Sequence, residues 1–326
     1  MLNLLPAAID IGSHSSILLI ADWNIGPGGK KILQPKVQKI EVCRLGEDIY
    51  DSGEISRKRL EELVNILTRF RMTAHGLGAS IEAVAMTEAM RKAKNPETVI
   101  DAVEKAVWVR PRIITGEEEA TYTFRAVTEW HGNDLVTLDI GGGSTELCSG
   151  KNTISLPVGA LYLFKKMGAI PGPEYKSWAK EFLRENPLKA FAKKPLYLIG
   201  GTGTALAMNY LNTFSFDFKA IEDLEINISA LEQIITRIAN QSKELRAVMP
   251  GLDNGRHEVI ICGLFWLRSV LEKLHVESFR ISTAGLRFGL LYPPLPPEPV
   301  KERTKKVPPW MKKAETENAE ASNDAN

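Results

Sequence analysis

Three consecutive glycines set between two acids constrain this chain more than any other feature: Asp139-Ile140-Gly141-Gly142-Gly143-Ser144-Thr145-Glu146. An apolar run from Leu135 leads into the turn, and Leu147 and Cys148 lead out, so the stretch reads as strand, tight turn and returning strand. Glycines let a backbone come close to an anion and aim several N–H groups at it. Flanking carboxylates suit a divalent cation held beside phosphate oxygens. A nucleotide P-loop would run on into a helix and carry Gly-Lys-Ser/Thr, and no such tripeptide occurs. An ordinary Gly-rich hairpin turn has the same local pattern, so the reading needs support elsewhere in the chain.

That support lies near the N-terminus. Residues Ala7 to Trp23, AAIDIGSHSSILLIADW, repeat the form: apolar strand, Asp10-Ile11-Gly12, a polar turn of Ser13 to Ser16, and a returning strand. Two such hairpins, about a domain length apart, predict a duplicated fold in which both turns face a shared cleft.

Between and after the hairpins, helical and strand patterns alternate. Lys36 to Val42 reads as a strand and Arg44-Leu45-Gly46 as the start of a loop. Ser56 to His75 reads as a helix with Leu60, Leu63, Ile66, Leu67 and Phe70 on one face. Ile81 to Ala85 is a short strand, Thr87 is placed to cap a helical turn, and Pro96 opens a helix sharing Val99, Val103 and Val107. A strand at Arg112 to Ile114 precedes a helix from Glu117 to about Trp130. The second half follows suit, with strands at Thr153 to Leu156, Leu196 to Ile199 and Phe279 to Ser282. Its helices fall near Ala160 to Met167, Ala205 to Leu211, Ala230 to Asn240, His257 to Leu274 and Leu286 to Tyr292. This predicts an α/β protein, and 326 residues favour two domains, at 1–124 and 125–293. Residues 294–326, rich in proline and charge, read as a disordered, solvated tail; Lys301, Arg303, Lys305, Lys306, Lys312 and Lys313 would alternatively make it a basic hook for a polyanion or partner.

Composition removes several functional classes. A net charge of +1 gives no global basic field for nucleic acid. Cys43, Cys148 and Cys262 form no CxxC and the five histidines are dispersed, which argues against a disulfide framework, a zinc knuckle or a His-based metal site. The N-terminus lacks the basic start of a signal peptide and no apolar run has membrane-span length, so no membrane association and a cytoplasmic location are expected.

Three further segments carry chemistry. Glu117, Glu118 and Glu119 open a helix, where a first-turn dipole accounts for one or two acids but not for three that repel each other. One of them is therefore expected in the cleft as a general base. Arg91, after a strand, is positioned to reach a phosphate, or equally to be a surface helix arginine. Gly200-Gly201-Thr202-Gly203-Thr204 enters a helix whose N-terminus suits phosphate. Leu206 stands where a dinucleotide fingerprint needs its third glycine, which disfavours an oxidoreductase.

The segments AAIDIGSHSS from Ala7, Arg44-Leu45-Gly46, TEAMRKAKN from Thr87, TGEEEA from Thr115, LDIGGGSTEL from Leu138, SLPVGA from Ser155, IGGTGT from Ile199 and AGLRFGLL from Ala284 fall in the order found in one family. They resemble the exopolyphosphatase and guanosine pentaphosphate phosphatase family, over about Ala7 to Tyr292. The resemblance implies two ribonuclease-H-like, actin-like domains enclosing a cleft, in a superfamily shared with sugar kinases and heat-shock chaperone ATPases. It implies Glu119 as the base and Arg91 on the terminal phosphates. Asp139 and Glu146 would hold a divalent ion, Mg²⁺ or Mn²⁺, with K⁺ as a further candidate cation. Ser144 and the Gly141, Gly142 and Gly143 amides would hold phosphate, with Asp10, Gly12 and Ser13 opposite. Gly201, Thr202, Gly203 and Thr204 would form the second domain's ligand loop.

The resemblance also implies the substrates, inorganic polyphosphate or the stringent-response nucleotide guanosine pentaphosphate, and a homodimer. Two residues depart from the family pattern. His14 replaces the usual asparagine of the first turn and adds a titratable group, and Glu258 stands where aspartate is usual. The added helical phosphohydrolase domain of longer members is not read here, which leans the expectation towards short polyphosphate or the nucleotide. Two other classes remain open at this level: a kinase or ATPase of the same superfamily, which would transfer phosphate to an acceptor, and a non-catalytic polyphosphate or alarmone sensor.

Overall fold

Both Asp-Ile-Gly segments end a central strand buried on two faces. The computed structural model describes residues 4–26, 29–186, 188–252 and 255–293. Strand β1 (Leu5–Ile11) lies between β2 (Ser15–Ile25) and β4 (Ala79–Met86), with β3 (Lys31–Val42) and β5 (Arg112–Ile113) outside, in the order β3-β2-β1-β4-β5. The second sheet holds β6 (Val136–Ile140), β7 (Thr145–Cys148), β8 (Thr153–Leu156), β9 (Leu196–Ile199), β10 (Glu225–Asn227) and β11 (Ser278–Ile281), in the order β8-β7-β6-β9-β11-β10. The two orders match strand for strand, and β10 is an addition at the far edge. In each sheet the first three strands form an antiparallel meander, and a parallel strand then joins the other side of the first. The chain is thus a duplicated α/β protein with mixed sheets, as expected.

Side-chain pattern explains which helices cover which sheet. The helix Arg57–Gly76 is capped by Ser56, whose side chain accepts from the Arg59 amide, and buries Leu63, Ile66, Leu67, Phe70 and Ala74. The helix Pro96–Val107 buries Val99, Val103 and Val107, and both helices share a core with Ile9 and Ile11 of β1. Over the second sheet, the helix Arg256–Leu274 is apolar around most of its circumference and sinks Trp266 fully into the core. The Trp266 indole N–H donates to Thr145 Oγ1 (2.9 Å), and that hydroxyl donates to Val158 O (2.6 Å). Thr145 of the glycine turn is therefore a structural residue.

The halves are interleaved. The helix Gly116–His131 follows β5 yet packs against β6, β7 and β8, while the short helix Leu286–Gly289 follows β11 yet packs against β1 and β2. Ala8, Leu19 and Leu33 of the first sheet share one core with Ala126, Val127, Ile199 and Phe288. The chain through Tyr292 is accordingly one compact unit, and residues 124 and 125, where the sequence suggested a division, lie inside the connecting helix. The expected tail, 294–326, falls outside the described residues.

Three local expectations are revised. Arg44-Leu45-Gly46 opens a helix, Leu45–Asp51, rather than a loop. Thr87 occupies an N-cap position, but its side chain makes no capping bond. The last helix ends at Gly289. The helix Glu174–Glu185, not anticipated, buries Tyr175, Ala179 and Leu183 at four-residue spacing.

Gly289 sets how closely the two crossing helices approach, because a Cβ there would meet the Tyr122 backbone, with its Cα 2.9 Å away. Gly289→Ala is expected to destabilise the fold by about 1–3 kcal/mol in urea or thermal melts, the usual cost of overpacking. Gly76→Ala, facing open space at a helix end, should cost nothing. Equal melting of the two variants would show that this crossing can relax freely.

Candidate functional site

Each glycine turn is held from behind by the start of a helix. At the second turn, Ala160 N donates to Gly141 O (2.9 Å), and Leu161 N and Tyr162 N donate to Gly142 O (2.8 and 3.0 Å). The helix Ala160–Met167 comes this close only because residue 159 is glycine, whose Cβ would stand 2.6 Å from Gly141 O. At the first turn, Cys43 N and Arg44 N donate to His14 O (3.0 and 2.9 Å), and Gly46 N to Ser13 O (2.7 Å). The short helix after β3 thus does for the first turn what the helix after β8 does for the second. These helix starts use their free N–H groups on the turns' carbonyls. Both turns close in the same way, through Gly12 N to Ser15 O (2.9 Å) and Gly141 N to Ser144 O (3.0 Å).

The turns face one cavity of about 130 Å³. Asp10, Gly12, Ser13, Glu119, Asp139, Gly141, Gly142, Gly143, Ser144, Gly201 and Thr202 line it, together with His14, Glu88, Arg256 and Arg287. Of the residues expected at the site, Gly203 and Thr204 are not in its wall. Gly203 packs against Leu198, and Thr204 Oγ1 donates to Gly200 O (3.0 Å) within its own helix. Thr202 Oγ1 is likewise spent on Ile140 O (2.9 Å). Gly200, at φ 76°, gives room to the Asp139 carboxylate where a side chain would collide with it. Arg91 and Glu146 are also absent from its wall, but Arg91 bonds Glu119 and Ser144, and Glu146 bonds Ser144 and Ser155.

The run of three glutamates resolves by geometry. Thr115 and Glu118 form a reciprocal capping box, with Glu118 N donating to Thr115 Oγ1 (3.1 Å) and Thr115 N to Glu118 Oε2 (2.8 Å). Glu117 faces solvent. Glu119 alone reaches the cavity, where Arg91 Nη1 donates to its Oε2 at 3.0 Å and to Ile114 O at 2.9 Å. Arg91 Nη2 also lies 3.5 Å from Ser144 Oγ. One guanidinium therefore links the candidate base to the second turn.

The acids are crowded. Asp139 and Glu146 are directly opposite on β6 and β7, an arrangement that like charges destabilise. Burial, then the neighbouring Asp139, pushes Glu146 up to about 8, although Ser144 and Ser155 hydrogen bonds oppose the shift. Burial raises Asp139 to about 6 against the opposing pull of Arg287. Asp10 is raised to about 7 by burial, with Arg287 again opposing and Asp139 adding. Burial and then Glu146 push Glu119 well above the carboxylate range, with Arg91 acting against them. The buried guanidinium of Arg287, held by Gln38 Oε1 (2.5 Å) and Thr283 O (3.0 Å), is the main positive counterweight to Asp10 and Asp139.

This donor set fits a hard divalent cation. Glu146 accepts from Ser155 Oγ (2.8 Å) through Oε1, while its buried Oε2 has no hydrogen-bond partner. An orphaned carboxylate oxygen beside a second raised acid suits an oxygen-liganded metal. Among the described residues, no group of three or more His, Cys, Asp or Glu side chains is arranged to hold an ion. Two acids leave coordination positions for substrate oxygens and water, the usual arrangement for Mg²⁺.

The departure at His14 has a clear consequence. Both ring nitrogens are buried without a partner, and burial, followed by Arg44 and Arg256, pushes the imidazole down to about 4. It meets a ligand uncharged at neutral pH. Glu258 bonds Lys243 (2.8 Å) and Arg44 (3.4 Å). Sequence reasoning misses Glu88 and Arg287 as site residues. Both lie within segments that carry the family resemblance, TEAMRKAKN and AGLRFGLL, but only the tertiary fold brings them to the cavity.

A duplicated α/β fold with two mixed sheets turns two glycine hairpins and four acids, Asp10, Glu88, Glu119 and Asp139, onto one cavity. The chain belongs to the Ppx/GppA phosphatase family, whose match spans residues 25–298. Exopolyphosphatase 1 of Mycobacterium tuberculosis is 27% identical over 300 residues, covering 87% of this chain and 86% of that protein. The crystal structure of the Aquifex aeolicus member of the Ppx/GppA family is similar at a TM-score of 0.71 and 27% identity, covering 88% of this chain and 96% of that one. An exopolyphosphatase from Cytophaga hutchinsonii, 21% identical, shares the fold at a TM-score of 0.77, covering 88% and 96% respectively.

Raised acids make stability fall as pH rises. Between the ordinary carboxylate range and about pH 7, the folded chain keeps a proton on Asp10 that the unfolded chain has released. Ionisation in the unfolded chain therefore lowers stability as pH rises across that window, and the effect vanishes below the unfolded pKa. His14 acts oppositely, between about pH 4 and its ordinary value. Asp10→Asn in chelator-treated protein is expected to melt higher than wild type at pH 8, with the gap closing by pH 4. A gap that is absent or reversed would mean that Asp10 is not held protonated by its surroundings.

Proposed function

We propose that this chain hydrolyses terminal phosphoanhydride bonds, releasing orthophosphate from inorganic polyphosphate, from guanosine pentaphosphate to leave the tetraphosphate, or from both. The observation that carries the reading is the position of Glu119: one acid of three, at a cavity walled by both glycine turns, fixed by Arg91. Membership of the Ppx/GppA phosphatase family supports it.

Glu119 accepts a proton from a water, and the water oxygen attacks the end phosphorus in line. The bond from that phosphorus to the bridging oxygen breaks, and the shortened chain leaves with the electron pair. A carboxylate whose proton affinity is raised by burial is a stronger base than an exposed one. The amides of Gly141, Gly142 and Gly143 with Ser144, and Gly12 and Ser13 from the opposite turn, hold the phosphoryl oxygens as charge spreads over them. Arg91 is close enough to Ser144 to share that task while it orients Glu119. Asp139 and Glu146 would hold Mg²⁺ or Mn²⁺, which when bound neutralises phosphoryl charge. The reaction needs no acceptor other than water, which sets it apart from a kinase.

Phosphate release measured side by side on tripolyphosphate, longer polyphosphate, guanosine pentaphosphate and ATP tests the reading. Glu119→Gln should still bind the preferred substrate while losing turnover by about a hundredfold or more, the usual loss on removing a base. Near-normal turnover would take the base role from Glu119, and transfer of phosphate to an added acceptor would move the chain to the kinase class.

A further inference from the structure

Glu88 belongs to neither hairpin and touches both. It opens the short helix Glu88–Lys92 at the end of β4 and is 5% exposed, yet it lines the cavity. Ser13 Oγ of the first turn donates to its Oε2 at 2.7 Å. On the second turn, the place a Cβ would take on Gly143 is filled by the same carboxylate group. Its other oxygen, Oε1, forms an ion pair with the ammonium of Lys92, one helical turn on and 41% exposed. A carboxylate thus sits between the Ser13 hydroxyl, a donor that a phosphoryl group would use, and the Cα of Gly143 in the second turn. The other acids in the cavity wall are placed differently: Glu119 is held by Arg91, and Asp10 and Asp139 share the counter-charge of Arg287.

We infer that Glu88 is a specificity-determining residue that occupies the phosphate seat between Ser13 and Gly143 in the ligand-free protein, and that it withdraws towards Lys92 when a phosphoryl group enters. The inference rests on reading the cavity as a phosphate site. A carboxylate and a phosphate cannot share Ser13 and Gly143 without severe like-charge repulsion, so binding requires the side chain to leave. Its route is short, because Lys92 already grips one oxygen and lies nearer solvent. Discrimination follows. A lone orthophosphate must displace Glu88 using only the contacts of the seat itself, whereas the end group of a longer chain brings neighbouring phosphates with contacts of their own. Return of Glu88 after the reaction would favour departure of the orthophosphate.

Inorganic phosphate is not turned over, so its affinity can be measured directly by calorimetry on the full chain. Glu88→Gln keeps the shape and the acceptor for Ser13 but removes the charge, and is expected to bind phosphate about tenfold tighter, as removing a close like charge allows. The KM for tripolyphosphate should fall less than the phosphate dissociation constant. Lys92→Gln should weaken phosphate binding in the wild-type background and have little effect when Glu88 is already glutamine, a non-additivity that simple loss of a nearby cation would not produce. Unchanged or weaker phosphate binding in Glu88→Gln overturns the inference while leaving the phosphate site in place. Absence of phosphate and tripolyphosphate binding by wild type and variants alike overturns both.

Discussion

Burial of carboxylates close to one another is the constraint around which this structure is arranged. Asp10, Glu119 and Asp139 line one cavity and Glu146 faces Asp139 on the next strand; each is more easily protonated there than in water, first because it is buried. A chain selected for stability alone would not place acids opposite each other on adjacent strands, as Asp139 and Glu146 are. The fold holds them through backbone hydrogen bonding: each turn's carbonyls are gripped by the start of a following helix, and each turn closes on itself. Main-chain bonds of this kind are indifferent to charge state. The acids therefore stay in place while a ligand or cation of opposite character is absent.

Duplication explains why the same solution appears twice. Gly46 and Gly159 occupy corresponding places after the third strand of each sheet, and each lets a helix start approach a turn. The two turns nevertheless diverge in chemistry. The second keeps three glycines and gains Glu146, whereas the first carries Ser13 and His14, and its helix start brings Arg44. The imidazole, kept neutral by burial and the two arginines, contributes bulk and polarity to the cavity rather than charge. The facing acid pair Asp139 and Glu146 is thus confined to the second half, while a serine hydroxyl, Ser13 or Ser144, is present in each turn.

Much of this is legible in the sequence, and the failures share a cause. Glycine flanked by acid at a strand end is a local signal, so both hairpins, Asp139 and Glu146 can be read directly. The capping box is equally local: Thr115-x-x-Glu118 is its signature, and that spacing alone removes Glu118 from the candidate bases. By contrast, Arg44-Leu45-Gly46 looks like a loop because the groups that satisfy its helix start, Ser13 O and His14 O, are remote in sequence. Gly203 reads as a ligand glycine because composition does not separate a glycine that admits phosphate from one that admits Leu198. Glu88 and Arg287 escape notice for the same reason: each is an ordinary helix residue until a second element is laid against it.

The interleaving of helices decides which parts of the site share a support. Glu119 follows the last strand of the first sheet but rides on a helix packed against β6, β7 and β8, so the candidate base is anchored to the same half as the three-glycine turn. Arg91 and Glu88 come from the short helix at the end of β4 and are anchored to the first sheet. The Arg91–Glu119 pair, the approach of Arg91 to Ser144 and the contact of Glu88 with Gly143 all cross from one half to the other. Arg287, on the helix that follows β11 and packs on β1 and β2, makes a further crossing and balances the aspartates of both turns. Base, turn and counter-charges are therefore aligned only as well as the shared core of Ala8, Leu19, Ala126, Val127 and Phe288 holds the sheets together. A dry, close-packed core transmits displacement rather than absorbing it. The apolar side chains between the sheets thus set the geometry of the site as directly as the acids do.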